Sequence, residues 1–138
     1  MEQTQFNVRV QPCAIRLGAA AITPGSSCPT DLSGMQSGLL YLVFGYRTTN
    51  NNGNLQSQQT GASDAAQSLS WNQAYGYDSL NRLTTAQETV LSALPNGVPA
   101  NNWTLINGYD KYGNRSETAS WGVGGLTPTA STAPRAAS

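Results

Sequence analysis

The chain contains no histidine among its 138 residues. That absence removes the usual general base at neutral pH, the Ser-His and Cys-His nucleophile pairs and the commonest metal ligand. Charge is also scarce, at 10% of residues, with seven basic against seven acidic side chains. The basic residues are scattered, so there is no electrostatic footprint for nucleic acid and none for an acidic membrane. No apolar run reaches the roughly 20 residues of a spanning helix. The nearest candidate for an export signal, residues 14–22, is interrupted by Arg16, so no signal peptide is expected. Only two cysteines occur, Cys13 and Cys28, outside any C-x-x-C pair. A closed zinc site needs four ligands, which makes one implausible here. The two are read as free thiols that pack as small hydrophobes. In an oxidising compartment they would instead bridge, closing a loop of about 15 residues that stabilises by roughly 3 kcal/mol in the chain-entropy model.

Glycine, asparagine, serine and threonine are abundant, and 38% of residues are hydrophobic. No long segment shows the 3.6-residue period of an amphipathic helix, so the fold class is all-β, with twisted strands joined by turns. One stretch organises the rest. Residues 71–83, W-N-Q-A-Y-G-Y-D-S-L-N-R-L, return in part as residues 103–115, W-T-L-I-N-G-Y-D-K-Y-G-N-R, at a constant offset of 32. A fixed period of that size marks a repeat architecture in which each unit packs on its neighbours.

Within the first copy Leu69, Trp71, Tyr75 and Tyr77 share one parity, while mostly small or polar residues take the other. This alternation is that of a half-buried strand. Trp103, Leu105 and Tyr109 share a face in the second copy. Asp78 and Asp110 then start a turn, where a short side-chain oxygen accepts from a backbone N–H two residues on. Three residues later come Asn81 and Gly113, residue types that tolerate φ > 0. Returning strands follow, over residues 83–89 and 115–123, so the unit is a β-hairpin. A blurred earlier copy at residues 46–55 aligns Asn50 with the two aspartates and Gly53 with the left-handed positions. Its strand, with Leu40, Leu42, Phe44 and Tyr46 on one face, sits on the opposite parity, which predicts a one-residue bulge.

At these residues the sequence resembles the YD-repeat family, also called Rhs repeats, whose pattern is roughly Y-x-Y-D-x-x-G-R/N-L followed by a polar strand. Tyr75, Tyr77, Asp78, Arg82 and Leu83 fit, with Asn81 in place of the glycine; Tyr109, Asp110, Gly113 and Asn114 fit, with Asn107 in place of the first tyrosine. The resemblance covers about residues 40–123, and residues 6–12 are read as the second strand of a still earlier unit. It implies consecutive antiparallel hairpins lined up into a sheet, an open segment of a hollow β-shell. Such shells enclose a C-terminal toxin in bacterial relatives and form extracellular adhesion modules in animal ones. The partners implied are neighbouring repeats or an encapsulated toxin domain. The family's Asp-Pro-Gly-Leu type cleavage motif is missing, so the chain is expected to be a segment of a shell.

The organisation expected is therefore an irregular N-terminal segment (1–38) with one strand, a hairpin region (39–125) and a disordered tail (126–138) that has too few apolar residues to offset chain entropy. Residues 39–44 are apolar on both parities and read as a strand covered on both faces. Residues 60–66 and 92–102 read as connectors.

No catalytic constellation, metal site or cofactor is expected, and the chain is read as non-enzymatic. Asp78 and Asp110 are equivalent positions of a repeat, which favours turn capping over a glycosidase-like carboxylate pair. On that view Asp78→Ala is damaging and Asp78→Asn nearly neutral. The Asn-rich run at 50–54 lacks the carboxylates a calcium loop requires. Sequons at Asn102 and Asn114 matter only in a glycosylating pathway. Trp71, Tyr75, Tyr77, Trp103, Tyr109 and Trp121 recur on strand faces. Packing is the favoured role for them, with a carbohydrate- or cell-surface-binding face as the alternative.

Overall fold

A computed structural model of the chain describes residues 1–18, 27–32, 38–63, 68–91 and 102–121. The described residues form eight strands: β1 (Glu2–Phe6), β2 (Pro12–Gly18), β3 (Gly38–Tyr46), β4 (Leu55–Ser63), β5 (Ser68–Tyr77), β6 (Leu83–Val90), β7 (Trp103–Tyr109) and β8 (Arg115–Trp121). They form one sheet in chain order, each strand antiparallel to the next, with β1 and β8 as open edges. The all-β expectation holds, and no helix occurs among the described residues. Four hairpins lie side by side, β1–β2, β3–β4, β5–β6 and β7–β8, so their turns follow one another at the same end of the strands.

The N-terminal expectation is corrected. One strand was expected before residue 12 and an irregular connection from Cys13; instead residues 7–11 are a turn, and β2 runs through Cys13 to Gly18. Val8 and Val10, which the strand reading of residues 6–12 includes, stand exposed on that turn. The 60–66 connector is corrected in the same way, because β4 continues to Ser63. The 92–102 loop, apart from Asn102, and the tail from 126 lie outside the described residues.

The cysteines are also corrected: Cys13 and Cys28 form a disulfide. The bridge sits where burial is deepest. By register, Ala14, Val43 and Gln59 lie on one face of the sheet together with Arg16, Tyr41 and Gly61. Cys13, Ala14, Tyr41 and Val43 are all buried. The segment 27–32 lies over this face. Gln5 Nε2 donates to the Ser27 carbonyl at 3.0 Å, the disulfide holds Cys28, and Leu32 reaches Gly61. A Cβ on Gly61 would stand 3.3 Å from Leu32, so the missing side chain makes the room that Leu32 fills. Arg16 is buried here with its guanidinium 5.3 Å from the centre of the Tyr41 ring, an arrangement in which the ring face attracts the cation.

The opposite face carries Leu40, Leu42 and Phe44 from β3, Leu69, Trp71 and Tyr75 from β5, and Trp103 and Leu105 from β7. These residues are half-buried, while Thr60 and Ala86, which share their face, are buried. Period-two alternation places the two sets on opposite faces, and among the described residues the segment 27–32 lies over the first of them.

Candidate functional site

The turns are the most regular feature of the molecule. At Asp78 the backbone N–H donates to the Arg82 carbonyl at 3.0 Å, and Asn81 N–H returns to the Asp78 carbonyl at 3.0 Å. The side-chain Oδ1 accepts from the N–H of Leu80 and of Arg82, both at 2.9 Å. Asp110 repeats this: its Oδ1 accepts from Tyr112 N–H at 2.8 Å and Asn114 N–H at 2.9 Å. The left-handed residues are Asn81 (φ 63°) and Gly113 (φ 87°). These hydrogen bonds favour the ionised form. The Arg82 N–H foremost, then the Arg82 side chain and the Leu80 N–H, hold the Asp78 carboxyl below its ordinary value. For Asp110 the Asn114 side chain is the leading cause, and the Asn114 and Tyr112 N–H groups follow.

The same turn closes the first hairpin, where a strand was the expectation. Asn7 Oδ1 accepts from Arg9 N–H and Gln11 N–H, and Val10 takes the left-handed position at φ 60°. The three turns differ at one atom, and their partners differ with it. Asp78 Oδ2 accepts from Arg82 Nε at 2.7 Å, and Asp110 Oδ2 accepts from Asn114 Nδ2 at 2.7 Å. Asn7 has an NH2 group there, and it donates to Gln11 Oε1 at 2.9 Å. An aspartate is followed four residues on by a donor and an asparagine by an acceptor. The expectation that Asp78→Asn is nearly neutral takes no account of Arg82, which donates to the oxygen that the new NH2 would replace.

The second hairpin departs from the pattern. Asn50 itself lies at φ 51°, with Gly53 at φ 93° as expected, but the accepting oxygens belong to Asn51 and Asn52, which bind Gly53 N–H and Asn54 N–H. The alignment of Asn50 with Asp78 thus shifts. The dipeptide Gly-Tyr marks the true phase, at Gly45-Tyr46, Gly76-Tyr77 and Gly108-Tyr109. From it, turn 47–54 has eight residues against five at 78–82, an odd difference that explains the parity conflict. A register irregularity lies between Gly45 and Tyr46, but it recurs at Gln5/Phe6 and Gly76/Tyr77, so a bulge does not set this hairpin's parity apart as expected. The dipeptide has a steric basis as well: the positions a Cβ would take on Gly45, Gly76 and Gly108 are occupied by the hydroxyls of Ser57, Thr85 and Ser116 across the strand pair.

Tyrosine and asparagine side chains fasten one hairpin to the next. The β2–β3 ladder ends at Ala14, and beyond it Tyr46 donates its hydroxyl to the Pro12 carbonyl at 3.1 Å. The β6–β7 ladder ends at Thr85, and beyond it the Leu83 carbonyl accepts from Tyr109 at 2.9 Å and Asn107 Nδ2 at 3.1 Å. Arg82 lies 4.2 Å over the Tyr109 ring. Arg9 donates to the Asn51 carbonyl at 2.9 Å, and Asn52 and Asn54 both donate to Asn81 Oδ1. Burial raises the Tyr46 hydroxyl above its ordinary value.

The aromatic face is less connected. By register Trp71 lies between Thr60 and Val90, Tyr75 beside Ala86, and Trp103 between Glu88 and Trp121. Trp71, Tyr75, Tyr77, Trp103 and Tyr109 are half-buried. A polar network runs through this face: Tyr75 Oη donates to Gln73 Oε1 at 2.8 Å, and Gln73 Nε2 donates to Glu88 Oε2 at 2.7 Å. Burial, then the neighbouring Tyr77 and Glu88, raise the Tyr75 hydroxyl. Among the described residues no cluster of three or more His, Cys, Asp or Glu is placed to hold a metal ion, and no helix is long and apolar enough to cross a membrane. No protein-family model, curated protein or solved structure matches this chain.

Proposed function

We propose that the chain is a non-enzymatic scaffold, a YD-repeat segment of a larger β-shell that by resemblance encloses a toxin domain or presents an adhesive surface. One observation carries this reading: residues that define the repeat make their hydrogen bonds within their own turn or to the neighbouring hairpin. Asp78 and Asp110 close their own turns, and Tyr109 and Asn107 bind the neighbouring hairpin. A repeat unit built this way adds to its neighbour through short-range contacts, so stability grows with the number of units. The open edges at β1 and β8 are where further hairpins would continue the sheet. The reading is tested by a chain in which residues 68–121 are present twice. Under the scaffold reading the longer chain stays monomeric and unfolds at higher denaturant; equal or lower stability counts against it.

A second reading rests on the aromatic face. Trp71, Tyr75 and Trp103 beside the Gln73–Glu88 pair combine ring surface with amide and carboxylate groups, which suits a carbohydrate or a cell-surface partner. Saturable glycan binding that vanishes in a folded Trp71→Ala, Trp103→Ala double variant would favour it over the scaffold.

A further inference from the structure

In a repeat protein the places where units differ show what one location requires beyond stacking. The first two hairpins have three features that the last two lack: the disulfide to a covering segment, the eight-residue turn, and arginines at 9 and 47. All three meet at one cleft of about 450 Å³ on the covered face, beside the turns. That volume lies within the range of small-ligand sites.

Buried Cys13 and Val43 contribute to its base, and Cys28, Pro29 and Thr30 line it from the covering segment. Among the described residues that line it, Arg9 and Arg47 are the charged ones and none is a carboxylate. Arg82 and Arg115 pair with Asp78 and Glu117, and Arg16 is buried on Tyr41. Among the described residues, Arg9 and Arg47 are the exposed arginines without a carboxylate partner. Arg9 is also oriented, since its Nη1 donates to the Asn51 carbonyl. Asn51, Thr30, Thr48, Ser57 and Gln59 add amides and hydroxyls to the lining.

We infer that this cleft binds the acidic residue of an anionic glycan, a carboxylate-bearing sugar whose carboxylate meets Arg9 and Arg47 and whose hydroxyls meet the amides and hydroxyls. Guanidinium groups match a carboxylate in geometry as well as charge. An acidic peptide would offer the same carboxylates to Arg9 and Arg47, but it lacks the array of hydroxyls that Asn51, Thr30, Thr48, Ser57 and Gln59 would meet. The site is separate from the Trp71 and Trp103 face, so the inference stands or falls independently of the glycan reading there.

The test is a titration of the full chain with trigalacturonate, followed by NMR at low and physiological salt, with maltotriose and triaspartate as controls. Expected are saturable shifts at residues 7–9, 28–30 and 47–51 for trigalacturonate alone, weakening with salt as exposed charges are screened. The Arg9→Gln, Arg47→Gln variant should lose at least about tenfold in affinity, the scale of losing charge-assisted hydrogen bonds, while Arg115→Gln changes nothing. Should the double variant melt early, the Arg9 and Arg47 Nε signals of the unsubstituted chain serve instead: they must move with trigalacturonate and stay still with maltotriose. Equal binding of maltotriose or triaspartate, shifts confined to the tryptophans, or no saturation would each overturn the inference.

Discussion

Removing the Cys13–Cys28 bridge tests how the covered face is held. The bridge closes a loop with a sequence separation of 15, for which the chain-entropy model gives about 3 kcal/mol. Beyond it, the covering segment has the Gln5 hydrogen bond and the Leu32 contact at Gly61 to hold it in place. Cys13 is only 2% exposed, so alanine is the better substitute, since a serine would bury a hydroxyl. The Cys13→Ala, Cys28→Ala variant should therefore lose about 3 kcal/mol in urea unfolding, equivalent to a melting temperature lower by roughly 10 °C for a domain of this size. Hydrogen exchange should locate the damage, with protection falling in β2 and β3 and nearly kept in β7 and β8. Reductant should lower the parent chain to the variant's midpoint and leave the variant unchanged. A variant that melts within about 2 °C of the oxidised parent would refute the argument.

Three other outcomes follow from the turns. Asp78→Asn should destabilise, and adding Arg82→Gln should restore most of the loss, because the pair then copies Asn7 and Gln11; a double-mutant cycle in urea shows this as favourable coupling. With the carboxyls of Asp78 and Asp110 held below their ordinary value in the fold, the unfolded chain binds more protons in acid. Their contribution is full above about pH 5 and is lost as pH falls below about 4, which a series of acid melts will follow, with a shallower loss in Asp110→Asn. Tyr109→Phe removes one hydroxyl hydrogen bond and should cost about 0.5–1 kcal/mol, since Asn107 still serves the Leu83 carbonyl; the Tyr109→Phe, Asn107→Ala double variant should cost more than the two singles added.

The last two hairpins were legible because their strand and turn signals coincide. Tyr77-Asp78 and Tyr109-Asp110 lie in phase, and Asn81 and Gly113 are residue types that take the left-handed conformation. The first hairpin was not, because Val10 fills that position, and a β-branched residue at positive φ is a rare choice no propensity anticipates. The second was misphased because an asparagine run offers several equivalent acceptors, and only the Gly45-Tyr46 pair fixes where the turn begins. The disulfide depends on which strand carries Cys13, and burial there follows from a covering segment with little periodicity of its own. The cleft was invisible for the same reason: Arg9, Cys28, Arg47 and Ser57 belong to separate segments that only the sheet register joins. The i, i+4 pairing of donor with acceptor could have been found, since Asn7-Gln11, Asp78-Arg82 and Asp110-Asn114 are all readable in the sequence once Asn7 is seen as a turn.

All four hairpins belong to one continuous sheet, and the first, third and fourth are closed by equivalent turns. Residue-resolved hydrogen exchange on the full chain tests it most directly. Slow exchange is expected at the paired amides of all eight strands, with protected amides at Asp78, Arg82, Asp110 and Asn114, matched at Asn7 and Gln11. Protection confined to β5–β8, with residues 1–18 exchanging as an unstructured chain, would contradict it.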